Sequence, residues 1–192
     1  MIYIVRHGET NWNVSRRLQG HTSVALNENG REEAEVLAER IEKLDFNRII
    51  SSDLIRARET AEIINKRVHK DIVFDARLRS IDYGALEGRL ISEIAQEEWG
   101  IYNSTPEVFG AESVESVYTR VKNLLDELVA NDESVLIVTH GGVLRVMSYY
   151  IDYKQKFDNE VYCKFYKDVK PVANTSLFEW RKEYTKLKPI YY

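Results

Sequence analysis

One cysteine in 192 residues, Cys163, excludes an internal disulfide framework and suits a reducing compartment. It sits among Tyr162, Lys164 and Phe165 with no adjoining histidine or glycine turn, so it reads as a packing or surface residue rather than a nucleophile. No stretch approaches the ~18 consecutive apolar residues of a membrane span. The first apolar run starts at Ile2, which leaves no room for a charged leader and an apolar signal core. The expectation is a cytoplasmic protein without a membrane partner. An excess of positive charge is also missing: the net charge is -4 and the pI about 5.7, against a general nucleic-acid binder. There is no Walker loop, no paired-aspartate Mg²⁺ motif and no GxSxG turn. The four histidines, His7, His21, His69 and His140, form no i, i+4 pair and have no CxxC partner set, so no metal site and no cofactor is expected. Internal repeats and low-complexity tracts are absent as well.

What is there is an ordinary globular balance, 44% hydrophobic and 30% charged. The length suits one domain over 1–192, long enough to bury a core without staples, with a small insertion. Ile2 to Val5 is a short apolar run of β-branched and aromatic type that stops at Arg6, His7 and Gly8. Val135 to Thr139 repeats the pattern and stops at His140, Gly141 and Gly142. Open α/β sheets place ligands at the carboxyl ends of their strands. Two strands that each end in His-Gly can therefore bring two imidazoles to one crevice; the plain alternative is two unrelated strand ends. Gly8 is expected to let the backbone turn and approach a ligand closely.

Between these units, amphipathic helices alternate with short strands. Thr10 is expected to cap a short helix from Asn11, and Arg16 to Gly20 to form a loop. Helices are expected over about 28–44, 54–67, 91–99, 112–130 and 142–150, and strands over 48–51 and 72–74. Ser52 and Asp53 are cap candidates for the helix that follows them. Residues 78–88 read as an irregular loop, and Pro106 breaks the chain within a lid-like insertion at about 83–112. Residues 151–170 fit no pattern. Val172 to Trp180 and Tyr184 to Leu187 read as final, antiparallel edge strands. This alternation implies a mostly parallel sheet covered on both faces, a three-layer α/β/α sandwich.

Arginine presents a planar fork that matches phosphate oxygens two at a time. Arg6, Arg56, His7 and His140 around one cavity would suit a phosphoryl group without a metal. His7 is then the candidate nucleophile, attacking phosphorus in line while the cations hold the equatorial oxygens. Its attacking nitrogen must be unprotonated, so the other should donate to a fixed acceptor such as a backbone carbonyl.

The segments RHGET (Arg6 to Thr10), QGHTSVALNENGREEA (Gln19 to Ala34), SSDLIRARETAE (Ser51 to Glu62), THGG (Thr139 to Gly142) and NTS (Asn174 to Ser176) together resemble the histidine phosphatase superfamily. That group includes cofactor-dependent phosphoglycerate mutases and small phosphatases, and the likeness spans nearly the whole chain. The resemblance implies a phosphoglycerate mutase-like fold. It puts His7 at the phosphorylated position, Arg56 at a phosphate-binding position and His140 at the second histidine. Asn13, Gln19, Gly20 and Gly141 would contact phosphate or line the pocket mouth. His21, beside that mouth, and His69 are not expected to be catalytic, and Arg58 is expected on a helix surface.

LRSIDYGALEG (Leu78 to Gly88) departs from the family pattern, which carries a proton-donating glutamate where Ser80 stands. A serine hydroxyl is too weak an acid to protonate an alkoxide, and general-acid help is worth about 10²–10⁴ in rate. Either the enzyme is slow, or Asp82 or Glu87 supplies the proton, or the leaving group needs none. The small-molecule phosphate ester expected as substrate points to a phosphomonoesterase. The alternatives are a phosphoglycerate mutase and a catalytically impaired phosphate-binding protein. Residues 83–117 hold seven glutamates and one basic residue, Arg89, which disfavours polyanions and so a mutase, unless Lys154 or Lys164 contributes. Trp99, Tyr102 and Phe109 would shape a pocket or pack locally. Tyr149, Tyr150, Tyr153, Phe157 and Tyr162 read as core or as a dimer face, which leaves monomer or homodimer open.

Overall fold

The computed structural model describes residues 1–153 and 157–190; Lys154 lies outside them. Six strands form one sheet: β1 (Ile2–Arg6), β2 (Arg48–Ser51), β3 (Asp71–Phe74), β4 (Val135–Thr139), β5 (Leu177–Trp180) and β6 (Lys188–Pro189). Their order is β3-β2-β4-β1-β5-β6. The first four run parallel, β5 runs antiparallel to β1, and β6 runs antiparallel to β5. Helices α1 (Asn11–Val14), α2 (Glu28–Ile41), α3 (Ile55–Val68), α4 (Gln96–Ser104), α5 (Val114–Ala130), α6 (Gly141–Tyr153) and α7 (Asn159–Asp168) complete the fold.

The side-chain period of two along a strand sorts the core into two halves. Ile2, Ile4, Ile50, Val135 and Ile137 face α5, α6 and α7. Tyr3, Val5, Ile49, Leu136 and Val138 face α2 and α3. The result is the three-layer α/β/α sandwich with a largely parallel sheet. Both faces of β1 and β4 are covered, so these strands read as continuous apolar runs rather than alternating ones.

Several helix ends follow local chemistry. The Asn27 side chain accepts from Gly30 N at 2.7 Å and starts α2, and Ser113 accepts from Ser116 N at 3.1 Å and starts α5. Thr10 and Asn13 form a reciprocal capping box around α1. Ser52 and Asp53 do not cap as expected: α3 starts after Leu54 with no side-chain cap bond, and Asp53 pairs with Arg79.

Elsewhere the boundaries move. α2 ends at Ile41, not Leu44. The expected 91–99 helix is a 3-10 turn at Ile91–Glu93 followed by α4, whose first turn is closed by Glu98 accepting from Ala95 N. Residues 172–176 are not strand, because Thr175 turns the chain with φ 53° and this loop serves the site instead. Tyr184 to Leu187 is the connection between β5 and β6, closed by Trp180 Nε1 donating to Tyr184 O at 3.2 Å. α7 occupies the stretch that showed no pattern; Tyr162 and Phe165 pack it into an aromatic cluster with Tyr149, Tyr153 and Phe157. Trp99 and Tyr102 likewise pack together at 5.8 Å between ring centroids, against the main core. The excursion over 83–112 returns to its start, because Glu112 N donates to Asp82 O at 2.9 Å.

Ile137 is fully buried in β4, whereas Val73 on the edge strand β3 is 40% exposed. Ile137→Ala is expected to cost about 2–5 kcal/mol in urea unfolding, and Val73→Ala less than about 1 kcal/mol. Equal costs would contradict the layer assignment.

Candidate active site

Parallel register builds the site. Arg6 of β1 stands opposite Thr139 of β4, so the next residues, His7 and His140, leave neighbouring strands at one level. His7 N donates to Thr139 O at 3.0 Å. The two imidazole rings lie 5.1 Å apart between centroids, and both are buried, at 3% and 2% exposure. α3 adds Arg56, 1% exposed, from its first turn.

Each group is held from behind. His7 Nδ1 lies 2.7 Å from Gly8 O. A carbonyl only accepts, so Nδ1 carries the proton and Nε2 keeps its lone pair. Arg56 donates to Gly20 O at 2.7 Å and to Thr22 O at 3.2 Å, and Arg6 donates to Val172 O. Gly8 N donates to the Thr60 hydroxyl, which donates to Arg56 O. Asn174 donates to His7 O at 2.9 Å and to Asn13 Oδ1 at 3.3 Å. His140 Nε2 meets Ser52 Oγ at 2.8 Å.

After these bonds are counted, Arg6 Nε, Arg56 Nε and His140 Nδ1 remain buried with no partner among the described residues. Leaving such groups unsatisfied is costly. Two of them belong to guanidiniums that only donate. Burial holds Arg6 and Arg56 down to about 10, so both remain cations at neutral pH. Burial first, then the charges of Arg56 and Arg6, push His7 well below 6.5. Burial and Arg56, followed by His7, do the same to His140. Two cations and two neutral imidazoles therefore surround a space with no carboxylate hydrogen-bonded to either guanidinium. An oxyanion with several acceptor oxygens satisfies that set.

A family model of the histidine phosphatase superfamily (branch 1) matches residues 2–164. The chain belongs to this superfamily. It is 40% identical over 151 residues to a protein described as a probable phosphoglycerate mutase GpmB from Salmonella paratyphi A; the match covers 74% of this chain and 70% of that protein. Among solved structures it resembles a mycobacterial glucosyl-3-phosphoglycerate phosphatase in complex with VO3, with 25% identity and a TM-score of 0.75 over 98% of this chain and 95% of that one. It also resembles Bacillus stearothermophilus YhfR, with 29% identity and a TM-score of 0.76 over 98% and 94% of the two chains.

In this histidine phosphatase some residues sit otherwise than the sequence suggests. Gly8 packs closely on α2: a Cβ there would lie 2.3 Å from Gly30 O. Gly20, at φ +51°, gives its carbonyl to Arg56. Asn13 uses its Oδ1 to accept from Thr10 N at 3.1 Å and from Asn174 Nδ2 at 3.3 Å, so its oxygen serves the helix cap and the 172–176 loop. Gln19 has a buried side-chain oxygen without a partner among the described residues. Gly141 abuts Arg6, where a Cβ would come within 3.4 Å of Nε. Arg58 is exposed and stacks over Phe74 at 4.3 Å. His69 is an exposed helix C-cap with φ 50°.

Around Ser80 only the backbone is engaged: its carbonyl accepts from His21 Nε2 at 2.8 Å and from Arg120 at 3.0 Å. Glu87 uses both oxygens, accepting from His21 N, Tyr83 N, Thr22 N and the Thr22 hydroxyl. Asp82 accepts from Gly84 N at 2.8 Å and lies 3.5 Å from His21 Nδ1. Glu98 and Glu112 pair with Arg89 and Arg120, so the acidic charge of residues 83–117 is partly neutralised. Lys164 is exposed on α7.

A cavity of about 710 Å³ is lined by the 172–176 loop together with Leu144, Phe165 and Ile190, and neither histidine lines it. Sequence reading missed Ser52, Thr60 and Arg120 as supports. Ser52 and Thr60 stand within the SSDLIRARETAE block, but nothing in their spacing names their partners.

Inorganic phosphate at about 100 times its Kd should stabilise the fold by about 2.7 kcal/mol, read as a rise in Tm at neutral pH. Arg56→Ala is expected to abolish most of the rise; an unchanged rise would place the anion elsewhere.

Proposed function

We propose that the protein is a phosphomonoesterase that works through a phosphohistidine on His7. The observation that carries this reading is the pairing of a fixed His7 Nδ1–H with three unsatisfied buried nitrogens of Arg6, Arg56 and His140. His7 Nε2 attacks phosphorus, the P–N bond forms, and the P–O bond to the alcohol breaks in line. Arg6, Arg56 and His140 hold the equatorial oxygens, with Asn13, Gln19, Gly20 and Gly141 shaping the pocket around them. Water then attacks phosphorus, phosphate leaves, and His7 Nε2 regains its lone pair. We take residues 83–112 as a lid over this site within one domain.

The leaving alkoxide needs a proton that Ser80 cannot supply. Glu87 has both oxygens occupied. The Asp82–His21 pair remains, with His21 fixed by its Nε2–H on the Ser80 carbonyl, and we assign proton delivery to it. A carboxyl two positions along the chain from Ser80 is a poorer donor, so alkyl phosphates are cleaved slowly and p-nitrophenyl phosphate, with its good leaving group, readily.

The relative described as a probable phosphoglycerate mutase favours a second reading, transfer back to bound substrate. Transfer requires priming by a bisphosphate, so strong activation of 3-phosphoglycerate turnover by 2,3-bisphosphoglycerate would replace hydrolysis with it. A phosphate-binding protein without turnover would leave p-nitrophenyl phosphate at background.

Ser80→Glu separates chemistry from binding. It is expected to raise kcat for an alkyl phosphate by up to about 10²-fold and to change p-nitrophenyl phosphate hydrolysis far less. Asp82→Asn should lower alkyl phosphate turnover. No gain in Ser80→Glu together with no loss in Asp82→Asn would contradict the assignment of the proton.

A further inference from the structure

Among the buried polar side-chain atoms without a partner among the described residues is one that belongs to no residue placed in the phosphate site above: Tyr162 Oη on α7. Tyr162 is 4% exposed. A phenol hydroxyl in that position normally finds an acceptor.

Its surroundings are polar in a consistent way. Arg145 lies one turn beyond Gly141 on α6, and i, i+4 positions share a helix face. Gly141 abuts Arg6, so Arg145 stands on the site side of the helix, a turn further from His140. Among the described residues Arg145 has no carboxylate partner and no hydrogen bond. Its guanidinium rests on the Tyr166 ring, 4.2 Å from the centroid, and Tyr166 packs on Tyr162 at 5.9 Å. From the 83–112 excursion come Tyr83 and Tyr102, 5.4 Å apart between ring centroids. The first turn of α6 meets the segment that leads into that excursion, since a Cβ on Gly142 would lie 3.1 Å from the Ile81 side chain, two residues before Tyr83. The charges agree with this placement. Arg145 acts on Arg6, Tyr83 and Tyr162, and burial holds the Tyr83 and Tyr162 hydroxyls protonated well above their usual range. Neutral phenols and a guanidinium are all donors. Among the described residues no carboxylate pairs with that guanidinium, although seven glutamates lie in residues 83–117.

We infer that Arg145, with the hydroxyls of Tyr162 and Tyr83, forms a second subsite that receives an anionic group on the alcohol portion of the ester. This rests on the phosphomonoesterase reading and deepens it: the preferred substrates carry a second oxyanion, a carboxylate or another phosphate. A charge-assisted hydrogen bond to guanidinium in a half-buried setting discriminates strongly against a neutral group at that place.

The test is a matched series: 3-phosphoglycerate, glycerol 3-phosphate with a hydroxymethyl in place of the carboxylate, and glycerol 1,3-bisphosphate, beside p-nitrophenyl phosphate. The parent is expected to prefer the anionic esters to glycerol 3-phosphate. Arg145→Gln should lower kcat/KM for the anionic esters about 10- to 100-fold more than for glycerol 3-phosphate, mostly through KM. Tyr162→Phe should act in the same direction and less. Preference for the carboxylate or for the bisphosphate tells which oxyanion the subsite fits. A parent that does not discriminate, or an Arg145→Gln loss equal across all four esters, overturns the inference. If no ester is turned over, the phosphatase reading has failed. Equilibrium binding of the same esters to parent and Arg145→Gln then decides the subsite by itself: a preference lost in the variant supports it, and equal affinities refute it.

Discussion

The alignment of β1 with β4 is the constraint on which the site depends. Arg6 opposite Thr139 fixes where each strand ends, and the two imidazoles follow from it. A slip of one residue would turn every side chain of a strand to the other face. Here that would put Ile2 and Ile4 where Tyr3 and Val5 belong, against α2 and α3 instead of α5 and α6. The same burial that stabilises the sheet therefore locks the two histidines 5.1 Å apart. The 172–176 loop reinforces the arrangement: Val172 O takes Arg6, and Asn174 takes the His7 carbonyl.

Burial also sets the electrostatics. Two guanidiniums are removed from water without carboxylates hydrogen-bonded to them, which is unfavourable in the absence of an anion. Their charge and the loss of solvent keep His7 and His140 neutral. A neutral His7 with Nδ1–H on a carbonyl keeps the Nε2 lone pair that the proposed attack requires. The cations that disfavour its protonation are the ones to which the proposed mechanism assigns the phosphate oxygens, so in that mechanism one arrangement serves both binding and activation.

Most of this was legible in the sequence because it is local. Ile2 to Gly8 and Val135 to Gly142 announce strands that end in imidazoles, and the α2, α3 and α5 stripes follow helical spacing. What was not legible depends on partners far along the chain. Nothing local to Gly8 shows that its missing side chain makes room for the Gly30 carbonyl. Ser52 looked like a helix cap, but it meets His140, 88 positions away. Asn159–Asp168 showed no clear pattern because its stripe is built from tyrosine and phenylalanine packing on α6 aromatics rather than from aliphatic spacing. The glutamates of residues 83–117 suggested a repulsive lid, whereas Glu98 and Glu112 are paired with arginines and Glu87 ties backbone amides.

The account turns on a covalent bond between phosphorus and one nitrogen. The most direct measurement is rapid quench with a ³²P-labelled ester, followed by peptide mapping of the labelled protein. The result predicted is an acid-labile, alkali-stable label on the peptide that contains His7, absent from His7→Ala. A label on any other residue, or turnover by His7→Ala at the parent rate, would contradict it.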